Sequence, residues 1–256
     1  MIRALYTAVS GLISQEAKQD VITNNLANIN TTGFKSNNLV IKKFDDVLLQ
    51  NYDKKVNGKN VKNTLGSISL GSQIDEVTTD FSEGQMQSTN IDTDFAISGS
   101  GFFTVTRNNQ DYYTRDGHFH IDNQGYLADD SGDRVKGTNV NTNKGENIFI
   151  GSGKLSCDDS GLIAIDGKPS YNLNIATFDN LKSLQKIGDN LYSGTNPKAA
   201  TGITITQKSL EQSNVDVMTE MVNMMSVMRT YETNQKIVQY LDQTLSKTVN
   251  EVGAVR

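Results

Sequence analysis

The chain of 256 residues has no tryptophan, one cysteine and two prolines. The single cysteine, Cys157, excludes an intramolecular disulfide and any cysteine-rich metal site. Positive charge is also scarce: the net charge of −5 argues against a nucleic-acid partner, because nucleic acids select basic surfaces. Hydrophobic residues make up only 36% of the chain, so the core that it can bury is modest for its length.

Long apolar segments are missing as well, and no stretch is long and apolar enough to span a bilayer. The N-terminus carries the basic residue and the short apolar run of a weak signal peptide, from Arg3 to Ile13. Gln15 and Glu16 follow without a small-residue cleavage site, and the apolar residues have a helical period. We therefore expect an N-terminus that is not cleaved, and export only by a route that needs no cleaved signal.

A long helix is predicted at the C-terminal end, because neither glycine nor proline occurs from Ile203 to Val252. Ser213 and Asn214 can cap its start. Five of the seven methionines lie between Met218 and Met228, where the apolar positions span a wide arc of the helix. Methionine adapts to several neighbours, which favours contacts with other chains, although an ordinary core helix would give the same pattern.

An apolar residue also recurs every seven positions in this segment, which is typical of a helix that pairs with another helix. These residues are Val217, Met224, Tyr231, Val238, Leu245 and Val252. At the other end, apolar residues spaced three and four apart predict an amphipathic helix that ends near Gly33. We expect the two long helices to form a coiled-coil-like pair, with the Val238 to Val252 stripe against the N-terminal helix.

The middle of the chain has a different pattern: short runs of alternating apolar and polar residues are separated by residues that favour turns. Eighteen of the 21 glycines lie between Gly58 and Gly202, and pairs such as Asp166-Gly167 favour tight turns. The sequence thus predicts an α+β fold whose central domain is all-β, with short antiparallel strands. The expected divisions are an N-terminal helix and motif over 1–35, an extended loop or linker over 36–70, the β domain over 71–206 and the C-terminal helix over 207–256.

Each end of the chain carries a short motif. The N-terminal motif includes Asn24, Asn25, Leu26, Asn28, Thr32, Gly33 and Phe34. The C-terminal motif includes Ser213, Asn214, Val215, Glu220, Met221, Asn223, Met224, Arg229, Tyr231 and Asn234. Together, and in this order, they resemble the terminal motifs of the bacterial flagellar rod and hook protein family.

The resemblance implies a structural subunit of the flagellar basal body, exported by the flagellar type III system and assembled outside the inner membrane. Within the family, the chain is most similar to distal rod subunits, and a sister rod subunit of similar length is the alternative. The implied partners are further copies of the chain, other rod subunits, the hook subunit and the export apparatus. We expect the subunit interface at Leu5, Val9, Leu12, Ile13, Met218, Met221, Met224, Met225, Met228 and Tyr231.

Residues suited to catalysis are few. His118 and His120 share a predicted strand face but lack a third metal ligand. The run 151–156 is not a phosphate-binding loop, because the first glycine of such a loop would be at Ile148 and the hydroxyl after the lysine would be at Leu155. Cys157 has no nearby histidine, and the aspartates sit mostly at turns. We expect no enzyme, metal, cofactor or small-molecule substrate; a hydrolase or metal enzyme with its site in the β domain and a secreted β-rich adhesin or binding module remain the alternatives.

Overall fold

The computed structural model describes residues 2–56, 59–200 and 202–252. The chain divides into two compact units, each assembled from segments that are distant in sequence. The terminal unit comprises Met1–Leu26, Asn37–Thr78 and Val217–Arg256. The central unit comprises Ala27–Ser36 and Thr79–Asp216.

Two α-helices lie near the ends of the chain, α1 (Ile2–Ala27) and α2 (Val217–Lys247). A π-helical turn, Thr248–Val252, follows α2. Glu220 lies in the first turn of α2, where a negative charge complements the helix dipole. Neither helix, within the described ranges, combines the length and apolar character needed to cross a membrane.

The predicted coiled-coil-like pair of terminal helices is wrong. The described residues form mostly β-sheet, with one helix near each end rather than two long paired helices. A coiled-coil seam buries its apolar positions along its whole length, whereas Val227 alone is fully buried among the described residues of α2. At the predicted seam positions Val217 is exposed, and the next four are only half-buried: Met224, Tyr231, Val238 and Leu245.

The side chain of Val252, the last seam position, lies outside the described residues. The predicted pairing of the Val238 to Val252 stripe with α1 was part of the coiled-coil prediction and is wrong with it. A seven-residue repeat indicates which side of a helix is apolar, but it does not indicate which residues pack on that side. The two helices do approach each other where a Cβ added to Gly11 would lie 3.0 Å from Asn234 Nδ2.

Four strands complete the terminal unit, in a region where the sequence predicts an extended loop. They are β1 (Asn37–Lys43), β2 (Val47–Val56), β3 (Lys59–Ile68) and β4 (Ser72–Thr79). β1 pairs with β4, and β2 pairs with β3 as an antiparallel ribbon with Val47 opposite Ile68. The composition, rich in lysine and asparagine, gives no signal for these strands, because a ribbon whose described side chains are mostly exposed needs no apolar alternation.

The central unit contains the remaining strands, which are short and separated by tight turns. In chain order they are β5 (Met86–Ser88), β6 (Phe95–Ser98), β7 (Phe102–Arg107), β8 (Gln110–Thr114), β9 (Phe119–Ile121), β10 (Leu127–Asp129), β11 (Arg134–Asn139), β12 (Gly145–Asn147), β13 (Leu155–Cys157), β14 (Leu162–Ile165), β15 (Lys168–Leu173), β16 (Ile175–Thr177), β17 (Gln185–Gly188), β18 (Leu191–Ser193), β19 (Lys198–Ala199), β20 (Thr204–Gln207) and β21 (Ser209–Glu211). One 3-10 turn, Leu181–Ser183, precedes β17.

One large sheet organises the central unit, with strand order β13-β14-β15-β11-β7-β8-β18-β17 along its main path. β20 pairs antiparallel with β6, and β21 pairs antiparallel with β5. Successive side chains of β7 point to opposite faces of the sheet and pack in two different apolar clusters. Phe103 and Val105 belong to the larger cluster and Phe102 to the smaller. Burying each such side chain contributes about 1.5–3 kcal/mol, so the central unit has a core of its own.

Candidate functional site: exposed helix faces and a buried motif junction

The methionine-rich half of α2 presents a row of exposed apolar side chains. Met218 is 72% exposed, and Met221, Met225 and Met228 are each exposed over about half of their surface. Spacings of three and four residues put these side chains on one face of the helix. Met224 and Tyr231 are half-buried and fall on the stripe that contains buried Val227. The six predicted α2 residues therefore divide into four exposed and two half-buried ones.

The first half of α1 has a similar face. Val9 and Ile13 are exposed, as a contact surface requires, whereas Leu5 and Leu12 are half-buried. Tyr6 is 67% exposed and is absent from the predicted interface, although its spacing from Val9 and Ile13 is the signal that could have found it. On α2 the prediction likewise omits Val222, which is more than half exposed and adjoins Met221. We refer to Tyr6, Val9, Ile13, Met218, Met221, Val222, Met225 and Met228 as the exposed helix faces.

Asn25 of the N-terminal motif is a structural anchor inside the terminal unit. Its side-chain oxygen accepts a 2.9 Å hydrogen bond from Asn37 N, and its amide group donates a 2.9 Å bond to Asn37 O. The residue is almost fully buried, so both bonds are formed away from water. This pair of bonds ties α1 to the first residue of β1.

The other motif residues of the terminal unit differ in exposure. Leu26, Glu220, Asn223 and Asn234 are half-buried, and Asn24 and Arg229 are exposed. In the central unit Asn28 is half-buried as well. Exposure alone therefore does not separate the motif residues that pack from those that are free to contact another chain.

Gly33, near the end of the N-terminal motif, lies inside the central unit and packs closely on its other residues. Its N–H donates to the Glu211 carbonyl oxygen at 2.8 Å. The backbone has φ +64°, and a Cβ at this position would lie 2.4 Å from the carbonyl carbon of Arg115. Only glycine fits both the left-handed conformation and this close approach.

Next to Gly33 lies a buried ion cluster formed by Lys35, Arg115 and Glu211. Lys35 Nζ lies 2.5 Å from Glu211 Oε1, Arg115 Nη1 lies 3.2 Å from Glu211 Oε2, and these side chains are at most 3% exposed. Lys35 also donates to Ser82 O at 2.6 Å, and Arg115 donates to Gly99 O at 2.7 Å. Burial lowers the pKa of Lys35, and the hydrogen bond and charge of Glu211 oppose that shift.

Asn214, near the start of the C-terminal motif, forms hydrogen bonds in the same part of the central unit. Its side-chain oxygen accepts from Ser36 N at 2.8 Å, and its amide group donates to Asp80 O at 2.9 Å. Residues from the two terminal motifs are thus bonded to each other and to neighbouring residues within the central unit. We call this set of contacts, formed by Thr32, Gly33, Lys35, Arg115, Asp116, Glu211 and Asn214, the motif junction.

Asp116 completes the motif junction on its other side. Its Oδ1 accepts from Thr32 Oγ1 at 2.6 Å and from His118 N at 3.0 Å. Burial raises the pKa of Asp116, and these hydrogen bonds oppose the shift. The His118 ring in turn lies with Nδ1 2.8 Å from Asp94 Oδ1. Of the two histidines considered as a metal site, His118 is thus hydrogen-bonded to Asp94, whereas the His120 ring lies 3.9 Å from Asp130. The described residues contain no metal-binding group of three or more His, Cys, Asp or Glu side chains.

The remaining candidates for chemistry occupy turns or half-buried strand positions. The glycine run at 151–153 lies in a turn that precedes β13. Cys157 is at the end of β13, where burial and the charges of Asp158 and Asp159 raise the pKa of its thiol to about 12. A thiol with this pKa stays protonated near neutral pH and is a poor nucleophile. Large apolar surfaces that helices leave exposed are typical of a protein that assembles with other chains.

Three family models match the chain along its length. They are described as flagella basal body rod protein over residues 5–35, flagellar hook protein FlgE/F/G D1 domain over 96–209, and flagellar basal body rod FlgEFG protein C-terminal over 206–251. The chain is 36% identical to the flagellar basal-body rod protein FlgG of Bacillus subtilis, over 98% of this chain and 99% of the relative. It is 34% identical to FlgG of Borreliella burgdorferi, over 96% and 97%. The flagellar basal-body rod protein FlgF of Caulobacter vibrioides is 30% identical over the whole of both chains.

The chain belongs to the family of flagellar basal-body rod proteins. It is a structural subunit of the basal-body rod of the bacterial flagellum, as the terminal motifs predict. The N-terminal and C-terminal family models cover both motifs, including the residues of the motif junction at 32–35 and 211–214.

Proposed function

We propose that this chain is a distal rod subunit that assembles helically with copies of itself into a shaft that transmits torque. The observation that supports this proposal is the apolar surface that α1 and α2 leave exposed. Burying apolar surface is favourable by about 25 cal/mol per Å², so covering these faces with another subunit would stabilise an assembly. A head-to-tail contact that does not close on itself produces an open helix, which is the geometry of a shaft.

The proposed interface keeps the predicted set and adds two residues that the structure exposes. The predicted set is Leu5, Val9, Leu12, Ile13, Met218, Met221, Met224, Met225, Met228 and Tyr231. Tyr6 and Val222 join it because each is more than half exposed. We also keep the divisions at residues 35, 70 and 206 as a proposal about which segments assemble and which fold separately.

We further propose that the chain contacts other rod subunits and the hook subunit at the ends of the shaft. In support, the flagellar hook-basal body complex protein FlhO of Bacillus subtilis is 25% identical over the whole of both chains. The distal position is supported by the FlgG proteins of Bacillus subtilis and Borreliella burgdorferi, at 36% and 34% identity, whereas FlgG and FlgF of Caulobacter vibrioides are equally similar to the chain, at 30% each. Export by the flagellar type III system without cleavage belongs to the same proposal, and mass spectrometry of the chain in isolated basal bodies tests it.

Electron microscopy of the purified protein at high concentration tests self-assembly. Met225→Asp places a charge on the exposed face of α2, and we expect it to abolish the filaments that the unchanged protein forms. Met225 is a cleaner position than Met224, because Met224 is half-buried and its substitution would also disturb packing. Gln239→Asp is the matched control, since it adds the same charge at an exposed polar position of α2.

We expect the control to form filaments and both variants to retain the far-ultraviolet circular dichroism of the unchanged protein. Normal filaments from Met225→Asp would remove this face from the interface. If the unchanged protein stays monomeric in sedimentation at high concentration, self-assembly through these helices is rejected.

A further inference from the structure

Four exposed methionines lie on one side of α2. They are Met218, Met221, Met225 and Met228, and each is between 47% and 72% exposed. At 100° per residue these positions fall within an arc of about 80°, so the four side chains form one line along the helix. We call these four residues the methionine row. In the unassembled chain the row presents four thioether side chains to solvent.

Few other side chains of the protein are open to mild oxidation. The chain has no tryptophan. The single cysteine, Cys157, is half-buried and its thiol stays protonated, which protects it because the thiolate is the reactive form. A thioether has no proton to lose, so its reactivity depends chiefly on exposure. Met86 is 37% exposed and Met224 is half-buried, so both are covered more than any member of the methionine row.

Oxidation makes a methionine side chain polar. A peroxide transfers one oxygen atom to the thioether: an electron pair of sulfur forms the S–O bond, the O–O bond breaks, and the peroxide leaves as water or an alcohol. The product, methionine sulfoxide, carries an oxygen that accepts hydrogen bonds. Burying this oxygen against apolar side chains is unfavourable, because it loses the hydrogen bonds that it made with water.

We propose that the methionine row is an oxidation site that controls assembly: a peroxide converts its thioethers to sulfoxides in the unassembled chain, and the modified face does not pack on a neighbouring copy. The proposal rests on the self-assembly proposed above, because the row controls assembly only if it lies in the interface. Once a copy covers the row, its side chains are shielded from the oxidant. Reduction of the sulfoxides returns the chain to the form that assembles.

Peptide mass spectrometry after limited treatment with hydrogen peroxide locates the modification. The full chain is used, at a concentration where sedimentation shows a monomer. We expect every member of the methionine row to be oxidised faster than Met224 of the same helix, and Met218, the most exposed, at least about threefold faster. Oxidation of Met224 as fast as that of the row would show that exposure does not select the site, and would overturn the proposal.

Electron microscopy of the oxidised protein tests the effect on assembly. We expect the protein concentration needed for filaments to rise at least about tenfold once the row is oxidised. Methionine sulfoxide reductases should restore the original concentration, with mass spectrometry to verify that the thioethers have returned. The proposal is wrong if the oxidised chain forms filaments as readily as the untreated one, or if filaments stay absent after complete reduction.

Met86→Leu separates the methionine row from an exposed methionine elsewhere in the chain. Met86 lies in β5 of the central unit, and leucine keeps its apolar character while removing the sulfur. We expect peroxide to suppress the filaments of this variant as strongly as those of the unchanged protein. A variant that resists peroxide would assign the effect to Met86 and overturn the proposal.

Peroxide added to finished filaments tests the shielding. We expect the methionine row to be oxidised at least about fivefold more slowly in filaments than in the monomer, because a neighbouring copy covers it. Equal rates in filament and monomer would leave the row outside the interface and overturn the proposal.

These outcomes distinguish failure of the proposed control from failure of the proposed function. If untreated protein stays monomeric at high concentration, self-assembly is rejected and the control of assembly with it. If untreated and oxidised protein both form filaments, self-assembly is retained and only the control by oxidation is rejected.

Discussion

The central unit buries most of its large apolar side chains, whereas the terminal unit leaves many of its own exposed. In the central unit Phe103 and Leu127 are completely buried, whereas in the terminal unit Tyr6, Met218 and Val222 are mostly exposed. The central unit is thus stabilised from within, by its core and its motif junction. The terminal unit keeps much of its apolar surface available, so what covers that surface decides how much stability it gains. Changes in one unit should therefore act on folding, and changes in the other on association.

Truncation gives the largest expected effect and tests which N-terminal residues the central unit needs for its stability. Deleting 1–26 removes residues of the terminal unit only, and we expect the central unit to keep its unfolding midpoint. Deleting 1–36 also removes buried Phe34 and Lys35, and we expect a loss of more than about 5 kcal/mol, which is comparable with the total stability of a domain. Urea unfolding followed by circular dichroism measures both, and equal midpoints would show that the motif junction contributes little.

Two aromatic truncations compare the units directly. Phe103→Ala removes a ring that is fully buried and packs edge to face on Phe119 at 5.2 Å, and it should cost about 3–5 kcal/mol of unfolding free energy. Tyr6→Ala removes an exposed ring and should change the stability of the monomer by less than about 0.5 kcal/mol. We expect Tyr6→Ala instead to raise the protein concentration needed for filaments. A large loss of monomer stability in Tyr6→Ala would show that the terminal unit buries this ring after all.

The strands of the central unit are the part of the fold that the sequence predicts best, because tight turns have local signals. Asn108 and Asn109, between β7 and β8, both adopt positive φ, and so do Asp166 and Gly167 between β14 and β15. Such residue pairs favour this conformation wherever they occur, so two or three neighbouring residues are enough to predict a turn. The strands at 37–68 lack comparable apolar alternation, and for that reason composition alone predicts a loop there.

The motif junction could be predicted only in part. Gly33 and Asn214 are indicated by the terminal motifs, and Lys35 and Glu211 lie beside them in sequence. Arg115 is separated from Glu211 by 96 positions and belongs to neither motif, so no local pattern indicates that it completes the ion cluster. The coiled-coil prediction was wrong for a related reason, since a periodic stripe is local whereas its cover comes from elsewhere in the chain.

Removing the carboxylate of the ion cluster tests whether buried charge holds the central unit together. Glu211→Gln removes the buried carboxylate with which Lys35 and Arg115 both pair, and we expect a loss of about 3 kcal/mol of unfolding free energy. Glu146→Gln makes the same change at an exposed position of the same unit, and it should cost less than about 0.5 kcal/mol. Similar losses in the two variants, measured by urea unfolding, would mean that the cluster is a consequence of the fold rather than a support for it.

The smallest expected effect is a pH dependence confined to the central unit. Burial disfavours the charged ring of His118, but the hydrogen bond to Asp94 and the charges of Asp94, Asp130 and Asp116 outweigh it and raise the pKa above its ordinary value of 6.5. A raised pKa in the folded state means that the folded protein holds this proton more tightly than the unfolded chain does. The resulting stability is fully present below about pH 6.5 and is lost as the pH rises through the higher pKa of the folded state.

Unfolding midpoints measured between about pH 5.5 and 8.5 should therefore fall toward the alkaline end, and His118→Gln should flatten this fall. The raised pKa of Asp116 contributes with the same sign, because the folded state also binds that proton more readily, so only the variant isolates the histidine. The ring is more than one third exposed, so solvent screens its charges and the effect stays small. A slope that is unchanged in His118→Gln would assign the whole pH dependence to the carboxylates, and would leave the His118 contact with Asp94 as a neutral hydrogen bond.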